Sequence, residues 1–254
     1  MHEIKKMTLD FCGEKTHALA FLPKGHVTSQ TAGIFCHGYT SHKASLLNWA
    51  SRMMEENVPC VIFDLPGHYL GNFSEVRNFE DFTSYAHKLF FKSHQKLLNL
   101  LGHKPKKIIL GGHSLGGLLA LKASKLQEFE AFEKIIFGVG LGTPPKDVTH
   151  VFESPFYKST LKLRSSLVSA ELSPEKVFPW IKEEKIHLKL SGKKIFLLSG
   201  LDDLVVGNDG MERFSKIFED ENQVDIQKVK RLPHHQPELA AAHIKKYLKD
   251  NGFI

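Results

Sequence analysis

Few cysteines and no long apolar runs narrow the class of this protein. Its 254 residues include only three cysteines, Cys12, Cys36 and Cys60, which are too few and too scattered for a disulfide framework. No apolar run approaches the roughly 18 residues that a membrane-spanning helix requires. The first six residues hold no apolar segment typical of a secretory signal. These features favour a cytoplasmic protein without an integral membrane segment.

The positive charge of the chain is not concentrated anywhere. The formal net charge is +6, yet no run of about five or six like charges occurs, and no nucleic-acid-binding motif is present. The 15 histidines form no H-E-x-x-H motif and no zinc-type spacing with cysteine. We therefore expect no nucleic-acid partner, no metal and no cofactor. The sequence carries no signal for an oligomeric state.

Apolar strand patterns alternate with helical patterns along most of the chain. Such alternation predicts an α/β fold, with a mostly parallel twisted sheet and helices on both faces. Two β-like segments at the start, joined by a turn at residues 13–15, predict an antiparallel hairpin at the edge of that sheet. The predicted strands are 6–11, 16–22, 32–36, 59–64, 107–110, 134–139, 194–198 and 224–229, and the predicted helices are 46–57, 82–101, 115–126 and 237–249.

The stretch Gly112-His113-Ser114-Leu115-Gly116 reads G-x-S-x-G and is the most informative motif. An apolar, β-branched segment precedes it and a strong helix-forming segment follows it. A serine on such a strand-to-helix turn exposes its Oγ beside the free N–H groups of a helix N-terminus. The two flanking glycines avoid a clash across the turn. The motif predicts that Ser114 is the nucleophile of a hydrolase; the alternative is a glycine-rich turn with an incidental serine.

A serine nucleophile requires a base to take its proton and an acid to orient that base. Downstream of Ser114, Asp202 and Asp203 follow one predicted strand, and His234 and His235 follow the last one. Both pairs come just after the carboxyl ends of strands, at the same edge of the sheet as Ser114. The sequence therefore predicts that an acid, a base and Ser114 meet at this edge.

With these motifs, the chain resembles the α/β-hydrolase family over nearly its whole length. His37-Gly38 looks like the family's oxyanion turn, and residues 64–68 look like its D-x-x-G-H segment. The resemblance implies the α/β-hydrolase fold, and it implies that the N–H groups of Tyr39 and Leu115 are the oxyanion donors. The opening His-Gly-Tyr-Thr is similar to feruloyl-type esterases and monoacylglycerol-lipase-like hydrolases.

The resemblance also selects the acid and the base. In the family's acid motif the aspartate stands three residues after a glycine, which here is Gly200 and selects Asp203. The family usually has a glycine before the catalytic histidine. His234 stands in that place, so we expect His235 to be the base, with His234 as the alternative. Asp64 precedes the serine, and we expect it to serve its own turn.

Residues 143–190 interrupt the alternation, because they contain no buried-strand pattern. An insertion here lies over the carboxyl ends of the strands, where open α/β sheets bind ligands. We predict a small helical lid at 143–190 on a hydrolase core formed by 1–142 and 191–254. The alternative to a lid is a surface excursion with its own small core. The residues expected to form an apolar acyl-binding wall are Phe152, Phe156, Tyr157, Phe178 and Trp180.

These expectations describe a serine hydrolase that cleaves a carboxylic ester or thioester of a small-molecule acyl substrate, through an acyl-enzyme intermediate. Its triad is Ser114, Asp203 and His235. A serine nucleophile argues against the epoxide hydrolases of this fold, which use aspartate. Three alternatives stay open: cleavage of amides or peptides, as in the prolyl-aminopeptidase-like branch, acyl transfer to alcohols or peroxide, and a non-catalytic binding scaffold.

Overall fold

The computed structural model describes residues 2–24, 28–143 and 155–254, and these contain an eight-stranded sheet. The strand order is β1-β2-β4-β3-β5-β6-β7-β8, in which β1 pairs antiparallel with β2 and β2 antiparallel with β4, while all other pairs are parallel. The predicted α/β architecture with an antiparallel edge hairpin is confirmed. The strands are β1 (Glu3–Phe11), β2 (Glu14–Leu22), β3 (Thr31–Cys36), β4 (Cys60–Phe63), β5 (Lys107–His113), β6 (Glu133–Val139), β7 (Lys194–Gly200) and β8 (Gln223–Val229).

The edge hairpin turns one residue earlier than the sequence predicts. Phe11 pairs with Glu14, so that only Cys12 and Gly13 remain in the turn. Both residues have positive φ angles, 48° and 85°. Two successive positive φ angles are typical of the type I′ turn, whose twist matches that of the flanking strands. Glu14, predicted in the turn, is therefore the first residue of β2.

Eight α-helices lie in the described part of the chain. They are α1 (Leu47–Glu55), α2 (Phe79–Tyr85), α3 (Leu89–Leu101), α4 (Leu115–Ala123), α5 (Pro155–Ser165), α6 (Pro174–Ile186), α7 (Gly210–Ser215) and α8 (Ala241–Asp250). The single helix predicted at 82–101 is in fact α2 and α3, joined by a short 3₁₀ turn at Ala86–Lys88. Tyr85, with φ at −126°, departs from helical geometry and separates the two. None of the described helices has the length and apolarity needed to cross a bilayer.

The core has one layer on each face of the sheet. Successive side chains of β3 point to opposite faces, so Ile34 packs in the layer of α3 and α4, and Phe35 packs in the layer of α1 and α8. Trp49 of α1 is fully buried in the second layer, and its indole N–H donates to the carbonyl oxygen of Pro237 at 2.7 Å. Packing on both faces fixes the strands whose carboxyl ends carry the candidate site.

The carboxyl ends of β5, β7 and β8 bring three predicted site regions to one edge of the sheet. Ser114 follows β5, Asp203 follows β7 and His234 follows β8. Parallel strands end at the same edge, so residues far apart in sequence meet there. Residues of α5 and α6 line a cavity at this edge together with Ser114.

Candidate active site

Ser114 occupies a strained backbone conformation at the tip of the turn between β5 and α4. Its φ and ψ are 49° and −115°, a region that residues with a Cβ rarely adopt and that costs roughly 1–3 kcal/mol. Its N–H donates to the carbonyl oxygen of Val139 at 2.8 Å, which holds the turn in place. The Ser114 side chain is partly exposed and lines the cavity.

The glycines on either side of Ser114 are required by close backbone approach. A Cβ built on Gly112 would lie 2.2 Å from the carbonyl carbon of Gly116, and one built on Gly116 would lie 2.2 Å from the carbonyl oxygen of Cys36. The obstructing atoms are main-chain atoms, which cannot move aside. The requirement for small residues at both positions is therefore confirmed.

A cavity of about 450 Å³ opens beside Ser114. Its volume is in the range of small-molecule sites in proteins. The site residues predicted from the sequence that line it are Tyr39, Ser114, Leu115, Phe178, His234 and His235. These six residues come from four separate segments of the chain and meet around one cavity.

Asp203 and His234 form a buried pair at the wall of this cavity. The Nδ1 atom of His234 lies 3.0 Å from Oδ2 of Asp203. The other carboxylate oxygen, Oδ1, accepts the N–H groups of Val205 and Val206 at 2.9 and 3.0 Å. The main chain therefore fixes the carboxylate, and only Oδ2 is directed at the imidazole. Asp202 instead accepts the N–H of Leu232 at 3.0 Å and ties two loops together.

The expected pairing of His235 with Asp203 is wrong, because it is His234 that lies against the carboxylate. Residues 233–236 form a turn closed by a hydrogen bond from the N–H of Gln236 to the carbonyl oxygen of Pro233 at 3.1 Å. Across this turn the two imidazole rings are perpendicular and point in different directions. Gly140, with no side chain, leaves room for the His234 ring: a Cβ there would lie 3.0 Å from Nδ1.

His235 has other partners. Its Nε2 lies 3.2 Å from the Tyr157 hydroxyl and 3.3 Å from Nη2 of Arg164. Burial, together with the nearby His234 and Arg164, lowers the pKa of His235 to about 4. A neutral ring can accept a hydrogen bond from the guanidinium, which a protonated ring cannot. His235 is therefore placed to hold Arg164 at the cavity.

The turn that carries Tyr39 is fixed from behind by two buried side chains. His37 donates from Nδ1 to the carbonyl oxygen of Gly38 at 2.8 Å and accepts the N–H of Leu65 on Nε2 at 2.9 Å. Burial lowers the pKa of His37 to about 3, so the ring is neutral as these bonds require. Asp64 accepts the main-chain N–H of Lys43 at 2.7 Å and also binds its ammonium group. Both residues therefore support the loop that carries Tyr39, and Asp64 binds Lys43 of that loop, whereas the sequence led us to expect it to serve its own turn.

His113 lies beneath the turn and at the cavity wall. Its ring centroid is 4.9 Å from that of His234. Burial, followed by the adjacent His234, lowers the pKa of His113 well below its ordinary value. A neutral His113 avoids placing a second positive charge against His234 when that ring accepts a proton.

Of the five aromatic residues expected to form an acyl wall, only Phe178 lines the cavity among those whose side chains the structure describes. Tyr157 is directed at His235. Trp180 points away from the cavity and packs edge-to-face on Phe79 and Phe82 of α2, which corrects its expected place. Phe152 lies outside the described residues, as does the side chain of Phe156.

Sequence reasoning missed the polar and aliphatic residues of the same two helices. Thr160, Leu163 and Arg164 line the cavity from α5, and Leu167 lines it from two residues beyond the end of that helix. Phe178, Ile181 and Lys185 line it from α6. Both sets recur at intervals of three and four residues, which is the spacing of one helix face. That periodicity was the available signal. Among the described residues no three His, Cys, Asp or Glu side chains cluster in a way that could hold a metal ion.

Comparison with known proteins gives the family. The model of the alpha/beta hydrolase family matches residues 34–222, and the chain belongs to this family. No significant match was found among curated protein sequences.

Solved structures with the same fold cover nearly the whole chain. An esterase of Pyrococcus furiosus matches with a TM-score of 0.70 at 19% identity, over 98% of this chain and 91% of the esterase. A thioesterase domain of the curacin biosynthetic pathway matches with a TM-score of 0.63 at 14% identity, over 98% and 99%. An epoxide hydrolase of Vigna radiata matches with a TM-score of 0.64 at 12% identity, over 98% and 97%. At these identities the likeness shows the fold alone.

Proposed function

We propose that the protein is a serine hydrolase that cleaves a carboxylic ester or thioester of a small-molecule acyl substrate. Ser114 is the nucleophile, His234 is the base and Asp203 orients that base. The observation that carries the proposal is the buried Asp203–His234 pair, which shares one cavity wall with a serine held at the tip of a strained turn. Family membership supports hydrolase chemistry.

The pair suits His234 to act as a base. With its Nδ1–H donated to Asp203, the imidazole keeps the lone pair on Nε2 free for the serine proton. In the proposed reaction, Oγ of Ser114 attacks the carbonyl carbon while Nε2 takes its proton. The same proton then passes to the leaving alcohol or thiol as the acyl-enzyme forms. Water, activated by His234 in the same way, releases the acid and restores Ser114.

Two main-chain N–H groups support stabilisation of the tetrahedral oxyanion. Those of Tyr39 and Leu115 both belong to residues of the cavity wall. Within the described ranges neither donates a hydrogen bond to a protein acceptor. A donor of this kind contributes about 3 kcal/mol to transition-state stabilisation in enzymes that form an oxyanion.

A serine at this position favours acyl chemistry over epoxide opening. Attack of serine on an epoxide carbon gives an ether, which His234 and water have no means to cleave, whereas attack on an acyl carbon gives an ester that water can hydrolyse. Amide cleavage and acyl transfer would use the same serine ester. We place them second, because no observed feature selects an amine or an acceptor alcohol.

We further propose that the segment 143–190, of which residues 144–154 lie outside the described part of the chain, acts through α5 and α6 as a lid on the core formed by 1–142 and 191–254. Support comes from α5 and α6, whose residues Leu163 and Ile181 line the cavity over Ser114. Covering the site would strengthen the electrostatic interactions within it.

The test is active-site labelling followed by turnover. A fluorophosphonate probe is expected to modify Ser114, as read by peptide mass spectrometry, and to leave the Ser114→Ala variant unmodified. Matched p-nitrophenyl butyrate, butyryl thioester and butyryl anilide then rank ester, thioester and amide cleavage. Absence of labelling in the folded wild-type protein would support the non-catalytic scaffold and overturn the proposal.

A further inference from the structure

One face of α6 is apolar along the cavity and ends in a lysine. Phe178, Ile181 and Lys185 all line the cavity and are spaced by three and four residues. At a rise of 1.5 Å per residue, this face runs for about 10 Å from Phe178 to Lys185. An acyl chain lying along this face would contact the apolar side chains of Phe178 and Ile181 and have a positive charge, Lys185, at one end of the face.

No acidic side chain neutralises Lys185 in the described part of the chain. Its ammonium donates to the carbonyl oxygen of Gly142 at 2.7 Å and lies 5.8 Å from the centre of the Phe214 ring. None of the described salt bridges includes it, and the residues that line the cavity include neither aspartate nor glutamate. The lysine thus lines the cavity with one hydrogen bond to the main chain and with no counter-charge among the described residues.

A second cation that lines the cavity, Arg164, is also without a counter-ion among the described residues. Arg164 donates to the hydroxyl of Thr40 at 2.9 Å and lies 3.3 Å from Nε2 of His235. Both partners are neutral groups that orient the guanidinium without neutralising it. Among the described residues that line the cavity, Arg164 and Lys185 are the arginine and the lysine, and none is an aspartate or a glutamate that would neutralise them.

Keeping a cation in such a place is costly unless an anion binds it. Burial alone lowers the pKa of Lys185 to about 8, since removal from water disfavours the charged form. A carboxylate or phosphate beside the ammonium would reverse this effect by direct attraction. A methionine of similar length would fill the space without any such cost.

We propose that the substrate is an acyl ester or thioester whose acyl chain ends in an anionic group, a carboxylate or a phosphate, and that Lys185 binds this group with Arg164 as the second cation of the cavity. This inference rests on the proposed function and specifies its substrate class. It also assigns Lys185 a role in substrate specificity, which is separate from the catalytic roles of Ser114, Asp203 and His234.

The experiment compares esters that differ only in terminal charge. The mono-p-nitrophenyl esters of adipic, suberic and sebacic acid carry a free carboxylate at increasing distance, and their methyl-capped counterparts carry none. Shorter diacids are avoided, since their carboxylate attacks its own ester. A p-nitrophenyl ester with a terminal phosphate distinguishes the two anions. We expect the wild-type protein to prefer one anionic ester over its capped partner at least tenfold in kcat/KM.

Variants at position 185 assign the preference. Lys185→Met is expected to remove the preference, read as the ratio of kcat/KM for the anionic ester to kcat/KM for its capped partner, and Lys185→Arg is expected to retain it. Lys182→Met, at an exposed lysine of the same helix, is the matched control and should retain it. Circular dichroism and thermal unfolding serve as the folding control for each variant.

The pH dependence gives a second readout. The preference, as a ratio of two kcat/KM values, cancels titrations that affect both esters equally. We expect the ratio to decline as pH rises through about 8, where Lys185 loses its proton, and to be flat in Lys185→Met. The other titratable groups lining the cavity are Tyr39, His113, Arg164, His234 and His235.

The two proposals fail in different ways. If the capped esters are hydrolysed in a Ser114-dependent manner but the anionic esters are no better at any chain length, the charge inference is overturned and the hydrolase stands. If no ester is hydrolysed, the hydrolase proposal fails. Calorimetric titration of Ser114→Ala with monomethyl and dimethyl suberate then still tests the charge inference, which equal binding of the two would refute.

Discussion

The Nδ1 atom of His234 lies 3.0 Å from Oδ2 of Asp203, in a pair of which only 8% and 4% of the two residues are exposed. The pair nevertheless reaches the cavity wall, because His234 itself lines the cavity. Oδ1 of Asp203 already accepts hydrogen bonds from the main-chain N–H groups of Val205 and Val206. Oδ2 of this buried carboxylate is therefore directed at the imidazole. The orientation of His234 is therefore set before substrate arrives.

Replacing Asp203 by asparagine is expected to lower kcat roughly a thousandfold or more while leaving KM little changed. The amide is isosteric, but its nitrogen favours the His234 tautomer that has no lone pair directed at Ser114. The matched control is Asp202→Asn, which changes the adjacent residue and touches only the loop bond to Leu232. Equal losses in the two variants would contradict the assignment of Asp203.

The two adjacent histidines are expected to differ in effect. His234→Ala should lose as much activity as Ser114→Ala, and the double variant should lose no more, because nucleophile and base act as a unit. His235→Ala should lose far less, since that ring contacts Tyr157 and Arg164 rather than Asp203. Steady-state kinetics on one ester give kcat/KM for both variants. A larger loss in His235→Ala than in His234→Ala would show that His235 is the base.

The backbone strain at Ser114 is expected to appear as a stability difference. Glycine tolerates a φ of 49° and a ψ of −115° without a Cβ penalty, whereas alanine does not. Relief of the strain should outweigh the entropic cost of glycine. The free energy of unfolding of Ser114→Gly should therefore be about 1 kcal/mol higher than that of Ser114→Ala. Urea denaturation followed by circular dichroism gives both values. Equal midpoints and slopes would mean that the turn carries no strain.

His94 is expected to make the fold less stable in mild acid. Burial, with Lys104 nearby, lowers its pKa to about 4, while the unfolded value is about 6.5. Between these values the unfolded state binds a proton that the folded state does not, so stability falls as pH is lowered through this window. Its ring packs against Phe129 and Phe132 of the core.

His94→Phe tests this effect by removing the titrating group from the same space. The free energy of unfolding should depend less steeply on pH between about pH 5 and 6, by close to 1.4 kcal/mol per pH unit. His17→Phe, at an exposed position of β2, is the matched control and should keep the wild-type slope. Identical slopes in all three proteins would show that His94 does not titrate as described.

Much of the fold was predictable because its periodic patterns are strong. The parallel strands are short apolar runs such as 107–110, and the glycine requirement around Ser114 follows from the motif alone. The hairpin turn and the break at Tyr85 were not predictable in the same way. Each depends on one or two backbone angles that apolar spacing does not encode.

The residue types of the candidate site could be predicted from the sequence, but the directions of its side chains could not. The order of Ser114, Asp203 and a histidine pair along the chain indicated a shared edge of the sheet. Which imidazole faces Asp203 depends on the turn at 233–236, in which the rings of the two adjacent histidines are perpendicular and that of His234 faces the carboxylate. Trp180 was misplaced for a related reason, since aromatic content alone does not say which face of α6 meets the cavity.

The bonds from Asp64 and His37 have a practical consequence for altering this protein. They hold the loop of Tyr39 from the side opposite the cavity, through the backbone of Lys43, Gly38 and Leu65. The ordering of that loop is accomplished during folding and not at the moment of substrate binding. A mutagenesis library aimed at new substrates can therefore vary the cavity-facing residues of α5 and α6, but it should leave His37 and Asp64 unchanged.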